Sequence, residues 1–224
     1  MDFIPFLLSF KLAGLTTLIL FVIALPFAWW LSQTNSKMKV VLEAVTALPI
    51  VLPPSVLGFY LLVVFSPDSA WGEFFEDIFG VKLVFSFTGL VVASCFYSLP
   101  FMVQPLQSGF ESLNKHMLEA SYLAGKSKLQ TIWHVALPNM KPALMTALII
   151  TFAHTVGEFG VVLMVGGSIP HETKVASVAI YEMVEVMEYD KAHIYSGIMV
   201  AISFVVLLLV YLFNHKQKNR GITV

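Results

Sequence analysis

Five long apolar runs leave this chain few folds to adopt. They lie at about 12–31, 41–65, 83–103, 140–165 and 194–213. No Lys or Arg falls in the middle of any run, and Glu158 is the only acid that does. Runs of about 20 apolar residues match the hydrocarbon thickness of a bilayer when helical. Lipid offers the backbone no hydrogen-bond partners, so each segment has to satisfy its own polar groups. The expectation is an all-α integral membrane protein, one domain over residues 1–224 with about five transmembrane helices. Charge agrees: 12% of the residues are charged, against about 25% in soluble domains. The net charge of −1 argues against nucleic acid as a partner. The single cysteine, Cys95, sits in an apolar run and reads as a small buried hydrophobe. Asp2 stands where a signal peptide would carry a basic residue, so the first run reads as an uncleaved span.

Basic residues set the expected orientation. Lys37, Lys39, Lys115, Lys126, Lys128, Lys141, Lys216, Lys218 and Arg220 fall on one side of a five-span chain. Lys11, Lys82, Lys174 and Lys191 fall on or near the other, together with most of the acids. The positive-inside rule then puts the N-terminus outside and the C-terminus in the cytoplasm. Trp29 and Trp30 close the first span, where an aromatic belt is expected. The loop 66–82 is acidic and aromatic and is expected at the interface. The stretch 173–190 is amphipathic, with Val175, Ala179, Met183, Val186 and Met187 on one side. Glu182, Glu185 and Glu188 are expected on a solvated face opposite.

One polar stretch, 114–139, interrupts the apolar pattern and falls on the cytoplasmic side. Asn114 is a helix cap for an inner face of Met117, Ala120 and Ala124. Gly125 supplies the left-handed stop. Ser127 with Gln130 forms a capping box for a second short helix, and Leu137-Pro138 ends the unit. Gly125-Lys126-Ser127 looks like the end of a phosphate-binding loop. The full pattern needs a glycine at Ala120 and a preceding strand, so the match is taken as accidental.

The spacing within this stretch resembles a known signature. Glu119-Ala120-Ser121, three residues, Gly125, nine residues, Val135, one residue and Leu137-Pro138 is similar to the EAA loop of ABC-importer membrane subunits. Ser121 and Val135 depart from the usual Ala and Ile. The resemblance implies the MetI-like permease fold of type I importers. It also implies that Glu119, Ala120, Ser121, Gly125, Val135, Leu137 and Pro138 form a coupling unit docking on a cytoplasmic ATPase. Glu119 would be the polar contact, Ala120 and Ser121 would keep the surface flat, and Gly125 would permit the turn. The implied partners are two ATPase chains, a second permease copy, a periplasmic oxyanion-binding protein and the lipid bilayer. The chain itself would bind no cofactor and catalyse no reaction, with ATP and Mg on the partner ATPase.

Two further places interrupt the spans. Leu48-Pro49-Ile50-Val51-Leu52-Pro53-Pro54-Ser55 would break a soluble helix. It reads either as a packing kink or as broken backbone lining a path or gate at Pro53, Pro54 and Ser55. Gly157-Glu158-Phe159-Gly160 carries the lone intramembrane acid. Glu158 reads as a structural or gating group or as part of a proton relay with His154, four residues earlier. An intramembrane hydrolase using His154 and Glu158 is the reading from another class.

Gly157-Glu158-Phe159-Gly160 with Gly166-Gly167 and Ile169-Pro170 is also similar to a segment of molybdate and sulfate permeases. Leu52-Pro53-Pro54-Ser55-Val56-Leu57-Gly58 and Tyr97-Ser98-Leu99-Pro100-Phe101 resemble the molybdate branch. This implies an inner-membrane permease for molybdate, with sulfate, thiosulfate or tungstate as the alternatives. No intramembrane cation is available for tight anion binding, so capture would belong to the binding protein.

Overall fold

The computed structural model describes residues 2–220, and in the last helix the side chains to Leu208 with Tyr211 and Leu212. The side chains of Lys216, Lys218 and Arg220, on which the orientation partly rests, lie outside the described residues, as does the segment 221–224.

Twelve helices in chain order make up the described part. They are α1 (Ile4–Gln33), α2 (Met38–Val51), α3 (Pro54–Phe65), α4 (Ala70–Phe79), α5 (Phe87–Glu111) and α6 (Lys115–Leu123). After these come α7 (Lys128–Thr131), a π-helical segment (Ile132–Ala136), α8 (Leu137–Asn139) and α9 (Lys141–Gly157). The last three are α10 (Gly160–Gly166), α11 (Ala176–Glu185) and α12 (Tyr189–Arg220). Three helices are long and apolar enough to cross a membrane, and two bent pairs bring the number to five if each is one span.

The ends of the spans differ from the sequence reading. α1 begins at Ile4 rather than Leu12, with Pro5 in its first turn, where the missing N–H costs nothing. α5 starts later than expected and runs past Pro100 and Pro105 to Glu111. Burial of Met102, Val103, Leu106 and Phe110 holds the helix together beyond its prolines. The span expected over 41–65 is two helices bent by 110°, parted at Leu52 and Pro53. The span over 140–165 is likewise parted, at Glu158 and Phe159. The loop 66–82 contains a regular helix, α4, capped by Ser69 and stopped by Gly80 at φ 63°. On α11, Val175 and Ala179 are buried as expected, but Val186 and Met187 are 67% and 76% exposed because the helix stops at Glu185. The three acids expected on a solvated face are partnered: Glu182 with Lys174, Glu185 with the Tyr181 hydroxyl, and, beyond α11, Glu188 with Lys191.

Among the described residues there are three apolar clusters, and the two larger ones lie one after the other along the bundle. One joins Leu20, Ala24, Ala28 and Leu31 of α1 to Met102, Leu106 and Phe110 of α5, and takes in Leu118, Ile132 and Leu137 of the polar unit. The second joins Leu8 and Leu12 of α1 to Leu61, Phe65, Leu90, Val161 and Val165. α1 and α5 run through both in the same direction. The start of α12 returns to the start of α1, where the Tyr195 hydroxyl donates to the Asp2 carbonyl at 2.6 Å. The clusters thus define two ends: one carries the 114–139 unit, and the other carries α4 and α11.

Candidate coupling and gate sites

The polar unit is built by its caps. Asn114 Oδ1 accepts the His116 N–H at 2.9 Å and starts α6. Gly125 takes φ +78°, a conformation that costs an L side chain strain. Its N–H donates to the Tyr122 carbonyl at 2.9 Å. The Ser127–Gln130 capping box forms in full, with bonds of 2.9 and 3.3 Å.

The inner face of α6 differs from the expected one. Leu118 and Ser121 are buried, Met117 is half-buried, and Ala120 and Ala124 are exposed. The Ser121 hydroxyl meets that of Thr131 at 2.9 Å, both buried, and this bond ties α6 to α7. Ser121 therefore holds the unit together from inside, and the exposed flat surface belongs to Ala120. Leu137 is buried in the first apolar cluster, Val135 is half-buried and Pro138 is exposed, so this end anchors the unit to the bundle. The chain does not leave the unit at Pro138. α8 continues to Asn139, and an 86° bend at Met140 leads into α9.

On the outer face Glu119 is exposed, 3.2 Å from His116 Nδ1. Around it Leu123 is 90% exposed, Leu129 69% and Trp133 56%. The sequence reading missed these three. Their signal was available: they are apolar residues of a polar unit that fall outside its buried period.

The second constellation joins the two breaks. At Leu52 and Pro53 the backbone is extended, with ψ of 135° at both. Pro53, Pro54 and Ser55 are exposed. Gly160 lies against Pro54 so closely that a Cβ on the glycine would stand 2.7 Å from the proline Cβ. A Cβ on Gly58 would stand 2.9 Å from that of Met164. The structure therefore brings Pro54 and Gly160 together and packs α3 along α10. Gly157 ends α9 with open space around it, and Phe159 packs on Tyr181 with ring centres 4.9 Å apart.

Glu158 is buried and works locally. Its Oε1 accepts the Val161 N–H at 3.1 Å, capping α10, and its carbonyl accepts the Ser177 hydroxyl at 2.7 Å. Both bonds satisfy backbone groups that the break would leave open. His154 sits against the Phe101 and Tyr97 rings, with centres 3.9 and 5.5 Å away.

Residues 15–219 match the family model of the binding-protein-dependent transport system inner membrane component. The chain belongs to this family. It is 50% identical over 204 residues to the molybdenum transport system permease protein ModB of Azotobacter vinelandii, covering 91% of this chain and 90% of that one. The sulfate transport system permease protein CysT of a Synechocystis strain is 32% identical, over 83% of this chain and 64% of its own length. Among solved structures, a bacterial ABC transporter that imports alginate matches with TM-score 0.77 at 18% identity, over 99% of this chain and 79% of that one. The MetNI methionine ABC transporter matches with TM-score 0.69 at 18% identity, over 93% and 92%. The fold is the all-α, MetI-like fold of type I ABC-importer permeases, and the protein is a multi-pass inner-membrane component. The relatives named here are transport permeases, and they give the hydrolase reading of His154 and Glu158 no support.

Proposed function

We propose that this permease imports molybdate, delivered by a periplasmic binding protein and driven by two copies of a cytoplasmic ATPase. The observation that carries the reading is the exposed, cap-built unit around Glu119 and Gly125, in a chain half identical along nine-tenths of its length to a molybdenum permease. The ATPase would grip Glu119, Ala120 and the surrounding Leu123, Leu129 and Trp133. ATP binding would draw two such units together and swing the spans outward-open, and hydrolysis would return them.

The path itself would form against a second copy. Non-helical backbone at membrane depth is tolerated only where protein or a water-filled cavity covers it. The Leu52–Ser55 break is uncovered in the single chain, and Val51 beside it is 80% exposed. A homodimer that encloses the breaks satisfies that requirement and places Pro53, Pro54, Ser55 and the segment 157–160 beside the path. Glu158 would hold the shape of the gate through its cap on α10. The excess of lysine around the 114–139 end supports a cytoplasmic unit and a periplasmic N-terminus.

Sulfate remains the second reading, favoured by the 32% identity to the sulfate permease. Proteoliposomes holding the permease, its ATPase and its binding protein separate the two. Molybdate-loaded binding protein is expected to stimulate hydrolysis and uptake, and sulfate-loaded protein is not. Uptake of sulfate without molybdate would reverse the assignment.

A further inference from the structure

We propose that Lys39, Glu43, Gln107 and Glu111 form a latch that carries movement of the coupling unit into the broken span α2–α3. The inference rests on the coupling reading above. Lys39 Nζ lies 2.8 Å from Glu111 Oε1 and 3.8 Å from Glu43 Oε1. Gln107 Nε2 donates to Glu111 at 3.0 Å and to Glu43 at 2.5 Å. Four side chains thus tie the first turns of α2 to the last turns of α5.

This tie matters because, within the single chain, α2 is otherwise thinly held. Thr46 is its one buried residue, and that hydroxyl bonds back to the Leu42 carbonyl of the same helix at 2.7 Å. Val40, Val41, Val45, Leu48 and Val51 are exposed, and Leu42 alone of α2 packs against the first apolar cluster. The polar cluster therefore decides where α2 starts. At its other end α2 runs into the Leu52-Pro53 break, and beyond it Pro54 meets Gly160. Glu111 is in turn separated by Ser112 and Leu113 from Asn114, the cap of α6. α2 is a lever with one end at the coupling unit and the other at the gate.

The latch also has a second position available. A recess of about 440 Å³, lined by Asn35, Lys39, Glu111, Lys115, Glu119 and Tyr122, lies between the cluster and α6. Two carboxylates share one ammonium there, and among the described residues Lys115 has no ion-pair partner. Movement of α6 into the recess brings Lys115 toward Glu111 and supplies the missing cation. Partly exposed ion pairs add little to fold stability, so the cluster can re-pair without unfolding the bundle.

The test is molybdate uptake per ATP hydrolysed, in proteoliposomes with the ATPase and the molybdate-loaded binding protein. Lys39→Met and Glu111→Gln are expected to assemble and hydrolyse ATP at the basal rate, with uptake per ATP lowered about tenfold. Lys39→Arg is expected to recover most of it. Wild-type uptake per ATP in both single variants would overturn the latch and leave the coupling reading standing. Failure of Lys39→Arg to recover would also overturn it, because arginine keeps the cation that Glu43 and Glu111 share. If Lys39→Met does not assemble, Gln107→Leu carries the same expectation and the same overturning result. If the wild-type ATPase ignores the loaded binding protein, the coupling reading fails and the latch with it.

Discussion

At the scale of single residues, Gly125 and Glu158 act through backbone groups. Gly125 has open space around it, so the left-handed φ is what selects glycine there. Gly125→Ala is expected to cost about 1–2 kcal/mol locally. Gly125→Pro also removes the N–H bonded to Tyr122 and fixes φ near a value this turn does not use. The proline variant is expected to reach the membrane but to lose most substrate-stimulated ATP hydrolysis; stimulation at the wild-type level would remove Gly125 from the docking role. Glu158→Gln keeps an oxygen that can accept the Val161 N–H. Transport by this variant is expected to keep its rate and pH profile, whereas Glu158→Leu loses the cap and about 1 kcal/mol of stability. A displaced pH profile in Glu158→Gln, measured by uptake across a pH series, would assign Glu158 the proton role. Both residues were visible in the sequence because glycine and an intramembrane acid stand out. The inward turn of Ser121 was not, since only its contact with Thr131 across the turn decides it.

Helix ends were more legible than helix faces, because a cap is a local interaction of a few neighbouring residues. The Asn114 cap, the Gly125 stop and the Ser127–Gln130 box formed as read. The inner face of α6 did not follow the reading, because tertiary contacts choose which side of a nine-residue helix is covered. The proline run in the second span forecast a break, but its 110° bend depends on how α3 lies along α10. That packing has little room. Gly160→Val is expected to cost about 1–3 kcal/mol by overpacking against Pro54. It should lower the thermal midpoint in detergent and reduce uptake, and an unchanged midpoint would contradict the close packing. On the coupling unit, the apolar patch is expected to carry much of the docking. Leu123→Asp is expected to weaken ATPase retention in pull-downs by about tenfold or more, and undiminished retention would move the docking surface elsewhere.

For the whole molecule, the proposed homodimer would cover the break between α2 and α3. With Cys95 replaced by Ser, cysteines placed at Val51 or Tyr60 are expected to cross-link two copies in native membranes. Exclusively monomeric bands from both positions would exclude a homodimer through this face. By itself, the sequence determined the membrane class, the number of apolar runs, the caps of the 114–139 unit and the family. Each of these depends on composition or on neighbours close in the chain. The tertiary structure alone decided that Pro54 meets Gly160, that Ser121 faces inward and that Lys39 pairs with Glu111. These contacts join residues of different helices, and they are set by which surfaces remain to be covered once the helices pack together.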